Sequence, residues 1–197
     1  AGLPQPTPTV AGDSVQVGSA RWTTLAAGPV PGMLPSSGPE DPAENDSGVV
    51  GLVEVAGLRV LVTGDIELAG QQSLLASGAD VRADVLVVPH HGSAKQEPTL
   101  IQAVGASVAL IQVGERNDYG HPAAATLRLL HSSGSSVFRT DQQGAIAVSA
   151  DGRRVVTQRR HANRPHPGRE AAGRPGQRGP PVSRGTAASC AARTGSR

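Results

Sequence analysis

Cysteine is almost absent from this sequence: Cys190 stands alone, so no intramolecular disulfide can brace the fold. Aromatic residues are equally scarce, with Trp22, Tyr119 and Phe138 occurring once each, so any core has to be built from Val, Leu, Ile and Ala. No uninterrupted apolar run approaches the roughly 18 residues that a membrane-spanning helix needs. Ala1 to Val10 is rich in Pro and Thr, whereas an export signal is basic and then apolar. The chain therefore reads as soluble and without a signal peptide. Its 197 residues suffice for one domain of ordinary size with some surplus. Gly and Pro together account for 41 of them, so only part of the chain is suited to form a core.

The net charge of +2 conceals a division. Residues 158–197 carry nine Arg against one acid, Glu170, a balance of +8 that leaves −6 for residues 1–157. With Val182 as its only branched aliphatic residue, this segment cannot bury enough apolar surface to offset the entropy of ordering, so it is expected to be a disordered basic tail. Its charge suits nucleic acid or acidic lipid headgroups, although a solvated extension without a role fits the same composition. The expected organisation is a linker over 1–10, a folded domain over 11–157 and the tail over 158–197.

Short strands are expected at Ser14–Val17 and Arg21–Leu25, followed by a Pro-rich loop over Pro29–Asn45. Val49–Val55 and Leu58–Thr63 read as a hairpin turned at Ala56-Gly57. Ile66–Ser77 has helical spacing closed by Gly78. Strands and helices then alternate: Val85–Val88, a helix over Thr99–Val104, Val108–Val113, and a helix over Pro122–His131 with Pro at its first position. Ser136–Thr140, Ala145–Ser149 and Arg153–Thr157 finish as strands, the last two joined at Asp151-Gly152. Strands mostly alternating with helices give an α/β fold of sheet covered by helices.

Three of these strands end in loops with polar residues able to ligate metal, the position at which open α/β sheets place their sites. After Leu58–Val62 comes Thr63-Gly64-Asp65, whose carboxylate could bridge cations or simply cap the next helix. After Val85–Val88 comes Pro89-His90-His91-Gly92-Ser93. Adjacent imidazoles there diverge, so one can ligate while the other faces substrate, or both can be satisfied within a turn. The third is Gly120-His121-Pro122, where a neutral His at a helix start suits a metal or a phosphate, or is a plain loop residue. His131, in the last turn of its helix, complements the dipole. His161 and His166 fall in the tail.

Taken in order, Asn45-Asp46-Ser47, Leu61 to Glu67, Ala83 to Ser93, Asn117 to Pro122, and Arg139-Thr140-Asp141 with Gly144-Ala145-Ile146 resemble the C-terminal metallo-β-lactamase-like domain of ComEC-type DNA-internalisation proteins. The resemblance spans Gly12 to Asp151. It implies the C-terminal part of an αββα sandwich, attached in the full protein to a membrane channel of the bacterial plasma membrane, and a metal-dependent nuclease acting on DNA during natural transformation. It makes Asp65 the bridging carboxylate and one of His90 and His91, with His90 preferred, the late metal ligand; it leaves His91 and His121 for catalysis, with His121 ligating metal or holding the scissile phosphate, and gives Ser93 and Asn117 as phosphate hydrogen-bonders. The implied cofactor is a divalent metal, Zn²⁺ or Mn²⁺, two in the full-length protein, with no small-molecule cofactor; the partners are DNA and the channel portion.

The superfamily's His-x-His-x-Asp-His cluster has no counterpart here, since the earliest histidine is His90. The chain is thus expected to be a fragment that binds metal weakly and turns over little by itself. A non-catalytic DNA-binding module, or a hydrolase of the same superfamily acting on a small molecule, would fit the same residues.

Overall fold

Apolar runs buried on two sides need cover on both faces of their sheet. In the computed structural model, which describes residues 8–33, 42–149 and 155–158, both covers are present. One sheet of seven strands follows chain order: β1 (Ser14–Val17), β2 (Ala20–Ala26), β3 (Val50–Val55), β4 (Leu58–Val62), β5 (Val85–Val87), β6 (Val108–Ile111) and β7 (Ser136–Arg139). The first four form an antiparallel meander, and β4 to β7 run parallel. The helices are α1 (Pro42–Asp46), α2 (Leu68–Ala76), α3 (Pro98–Val104), α4 (Ala124–Ser132) and α5 (Thr140–Gln143). A separate antiparallel pair, β8 (Ala145–Val148) and β9 (Val155–Gln158), completes a mixed α/β fold, the class expected.

Alternation along the strands sorts the core into two layers. Leu52, Leu61, Leu86, Ala109 and Ile111 meet Leu74, Leu100, Ile101 and Leu130 of the helices. On the other face, Leu58, Val85 and Val108 are covered together with Phe138 by Val148 and Val155 of the small hairpin. Contacts run from α1 to α2, α2 to α3 and α3 to α4, so the helices make one layer.

Local chemistry sets the joints. Ala56 and Gly57 both have positive φ, 48° and 82°, the two-residue turn that suits the twist of β3 and β4. Gly105 closes α3 in the left-handed region, and the Glu97 carboxylate accepts Thr99 N–H at its start. Those bonds, with that from Gln72, hold the Glu97 carboxyl below its usual range, the Gln72 bond contributing most. Beside the start of β4, Arg82 and Arg59 hold the Asp80 carboxyl well below the carboxylate range.

The start of α2 is capped from outside. Asp46, buried at the end of α1, accepts Glu67 N–H at 2.5 Å and Gly70 N–H at 3.0 Å through one carboxylate oxygen. Gly70→Ala should therefore invert the usual helix preference. Ala ordinarily gains about 1 kcal/mol over Gly inside a helix. Here its Cβ would lie 2.6 Å from Asp46 Oδ1 and 3.1 Å from Ile66 Cβ. Displacing the carboxylate leaves buried N–H groups unpaired, at about 1–3 kcal/mol. Urea unfolding should report a net loss of about 1–2 kcal/mol; a raised midpoint would mean that the cap moves without cost.

Several expected boundaries shift. The end of the Pro29–Asn45 loop is helical, because α1 is held by its tertiary contacts; residues 34–41 lie outside the described residues. Pro122 is not the first residue of α4, which begins at Ala124 after a cis His121–Pro122 bond. Thr140, expected in a strand, opens α5, and Gln158, expected in the tail, belongs to β9. The Asp151-Gly152 turn and residues 159–197, with His161 and His166, lie outside the described residues.

Candidate active site at the carboxyl edge of the parallel strands

Because β4, β5 and β6 are parallel neighbours, the three loops singled out by their polar residues leave the sheet at the same edge. They are tied together by main-chain bonds: His90 N–H donates to Gly64 O at 3.0 Å, and Ala123 N–H to Gly92 O at 2.8 Å. Thr63, fully buried, donates its hydroxyl to Val87 O at 2.7 Å.

Pro89–Gly92 forms a 3₁₀ turn with an unusual interior. His90 (φ 45°, ψ 52°), His91 (φ 52°, ψ 22°) and Gly92 (φ 79°) are consecutive residues in the left-handed region. Only the glycine is at ease there; each histidine costs on the order of 1–2 kcal/mol. Strain of this kind persists where its surroundings fix it, and it concentrates at functional sites.

The turn separates the two imidazoles, whose centroids are 6.2 Å apart at 72°. His91 lies toward Asp65, with Nε2 3.5 Å from Oδ1, and its Nδ1 meets Gln112 O at 2.6 Å. A carbonyl can only accept, so Nδ1 donates to it, and Nε2 is left turned to the carboxylate side. Both side chains are about half exposed, 47% for His91 and 50% for Asp65. Asp65 is not used as a helix cap, since α2 begins after Glu67 and Asp46 takes its N–H groups.

His90 lies deeper, at 20% exposure, and its ring centroid is 5.5 Å from that of His121. Its Nδ1 is 3.3 Å from Glu67 Oε1, an ion-pair distance without hydrogen-bond alignment. Glu67 is buried, and its other oxygen holds Lys95 Nζ at 2.5 Å. Asp65, His90, His91 and His121 are thus brought together by successive close pairs.

Two other candidates serve the loops. Ser93 is buried and accepts Lys95 N–H at 3.3 Å through its hydroxyl oxygen. Asn117 accepts Tyr119 N–H at 3.0 Å and donates to His121 O, so its amide braces the loop after β6. Beside them lies a depression of about 270 Å³ bordered by His91, Arg116, Tyr119 and His121. His131 meets Leu127 O at 2.6 Å within α4, apart from the site.

The roles of Glu67, Lys95 and Gln71 were not foreseen. Gln71 is fully buried and joins three segments, donating to Ile66 O and Lys95 O and accepting Glu97 N–H. The only sequence signal was a polar residue on the inner side of α2.

No family model matches the chain. Over 115 residues, 58% of this chain, it is 36% identical to ComE operon protein 3 of Bacillus subtilis (strain 168). It is 33% identical over 105 residues, 52% of this chain, to competence protein ComA of Neisseria gonorrhoeae. The chain is homologous to a competence protein. A third relative, the uncharacterized protein YcaI of Escherichia coli (strain K12), is 34% identical over 129 residues, or 64% of this chain. The matched segments cover only 15–17% of these relatives. Among the described residues, no helix is long and apolar enough to cross a membrane.

Proposed function

We propose that this chain is part of a competence-related DNA-uptake protein and carries one side of a metal-dependent phosphodiesterase site of the metallo-β-lactamase type. The observation that carries the reading is the meeting of Asp65, His90, His91 and His121 at one edge, on a turn that holds two histidines in strained backbone. The homology to ComA supports the link to competence.

The residues fit a cation in part. Two ligands of a tetrahedral Zn²⁺, each at about 2.0–2.2 Å, are separated by roughly 3.4 Å. His91 Nε2 and Asp65 Oδ1 are 3.5 Å apart, and the Nδ1 bond to Gln112 O is the outer support that ligating histidines use. Among the described residues no group of three or more His, Cys, Asp and Glu is arranged to hold a metal. Asp65 and His91 would hold one edge of the ion, which exchanges the roles that the resemblance implied for His90 and His91. When bound, Zn²⁺ or Mn²⁺ would lower the pKa of a water and brace the phosphodiester oxygens.

The protein's own groups do the rest. Glu67 faces His90 Nδ1 and keeps that ring turned toward His121. In this reading His90 and His121, whose rings lie 5.5 Å apart, contact the phosphate held beside Asp65. Asn117 fixes the His121 loop and Ser93 fixes the turn, so both act by positioning.

The test is cleavage of a labelled DNA oligonucleotide with Mn²⁺ or Zn²⁺. This chain alone should show weak metal binding and slow cleavage. A longer polypeptide that includes a His-x-His-x-Asp-His cluster should cleave efficiently, and Asp65→Asn in it should lose about 100-fold or more with DNA binding retained. Cleavage indifferent to Asp65, or a stoichiometric two-metal site in this chain alone, would overturn the reading.

A further inference from the structure

Of the three aromatic residues, two are used for packing: Trp22 covers Gly51, and Phe138 lies in the smaller core cluster. Tyr119 is 74% exposed. An isolated exposed aromatic needs no explanation, but this one is held in a particular place. Asn117 bonds to Tyr119 N–H on one side and to His121 O on the other, which braces the loop tip from Asn117 to His121. The Tyr119 ring lies near-parallel to the His121 imidazole, at 25° with centroids 6.2 Å apart. Both border the 270 Å³ depression, with the exposed cation of Arg116 and with His91 on the same rim. The arrangement is an aromatic face, a cation and an open hollow, adjoining the Asp65–His91 pair.

We propose that Tyr119 is a stacking platform for a nucleobase, and that the hollow it borders takes a base of single-stranded nucleic acid whose phosphate reaches the Asp65–His91 edge. A tyrosine face stacks on any base without reading its sequence, and Arg116 adds charge toward the backbone. A paired base inside a duplex offers no free face, so the subsite favours single strands. The proposal rests on the preceding reading for where the phosphate lies, but not for whether a base binds.

The experiment is fluorescence anisotropy with the whole chain in EDTA, using a labelled thymidine decamer, an abasic decamer with the same number of phosphates, and a duplex of that length. The Arg-rich residues 158–197 and Arg116 act on phosphates and contribute alike to the two single strands. Stacking of about 1–3 kcal/mol corresponds to roughly 5- to 150-fold. The thymidine strand should bind tighter than the abasic one by a factor in that range, and tighter than the duplex. Tyr119→Ala should erase the difference, and Tyr119→Phe should keep it. Equal affinity for the two single strands, preference for the duplex, no measurable binding, or a preference that survives Tyr119→Ala would each overturn the subsite. Asp65-dependent cleavage by the longer polypeptide is scored separately. Loss of base preference with cleavage intact removes only the subsite, whereas base preference without cleavage removes only the hydrolase.

Discussion

Gly92→Val is expected to lower stability by about 2–5 kcal/mol and to separate the loops of the site. Gly92 has φ 79°, and a Cβ there would lie 2.7 Å from Pro122 Cβ, 3.3 Å from Pro122 Cα and 3.6 Å from Ile111 Cδ1. The left-handed backbone costs a side-chain-bearing residue about 1–2 kcal/mol, and overfilling a packed contact adds about 1–3. Pro122 is the nearer neighbour and carries main chain, so it cannot simply rotate away. Moving it strains the Ala123 N–H to Gly92 O bond and carries His121 away from His90. Urea unfolding measures the first effect, and nuclear Overhauser contacts between the His90 and His121 rings report the second. A variant within about 0.5 kcal/mol of the parent, with those contacts kept, would show that the loops are not jointly fixed.

That joint was hidden in the sequence for a definite reason. Strand positions were legible because β5 and β6 are buried on two faces and read as continuous apolar runs, while β4 is marked by its β-rich sequence and the turn before it. The hairpin at Ala56-Gly57 and the glycines after α2, α3 and α4 were legible because positive φ is a local demand. Proline was the misleading signal. Pro122 suits the first turn of a helix, yet it precedes α4, which starts only after Ala123 N–H has bonded to Gly92 O. A contact between residues 31 positions apart decides that boundary.

The site was legible as chemistry and not as geometry. Asp65, His90, His91 and His121 stood out because such residues at the ends of buried strands call for a use. The left-handed His90 and His91 could not be read, since nothing in a His-His pair distinguishes that backbone from an ordinary turn. Glu67 entered only as the last residue of the Leu61–Glu67 motif, with no role of its own. Its burial between His90 and Lys95 depends on the parallel pairing of β4 with β5, which brings residues more than 20 apart into contact. Asp46 was concealed in the same way: a residue between the expected loop and the next strand turns out to cap a helix that begins 22 positions later.

Gly51→Val is expected to be at least as damaging as the change at Gly92, for reasons of packing alone. Trp22 pairs with Val53 across β2 and β3, and Gly51, two residues along, lies diagonally on the same face. The indole lies over Gly51 so closely that a Cβ would fall 2.0 Å from Cζ2, 2.2 Å from Cη2 and 2.5 Å from Cε2. No small adjustment clears such an overlap. The ring would have to leave, breaking its Nε1–H bond to Thr24 Oγ1 at 3.0 Å and uncovering the sheet, at about 3 kcal/mol or more. Trp22→Ala should cost about 3 kcal/mol, the low end for tryptophan because the ring is half-buried. The double variant, Trp22→Ala with Gly51→Val, decides the cause: once the indole is gone, a valine side chain suits this strand position better than glycine does. The double loss should then fall short of the summed single losses by about 1–3 kcal/mol in urea unfolding. Additivity within about 0.5 kcal/mol would mean that something other than the indole excludes a side chain at position 51.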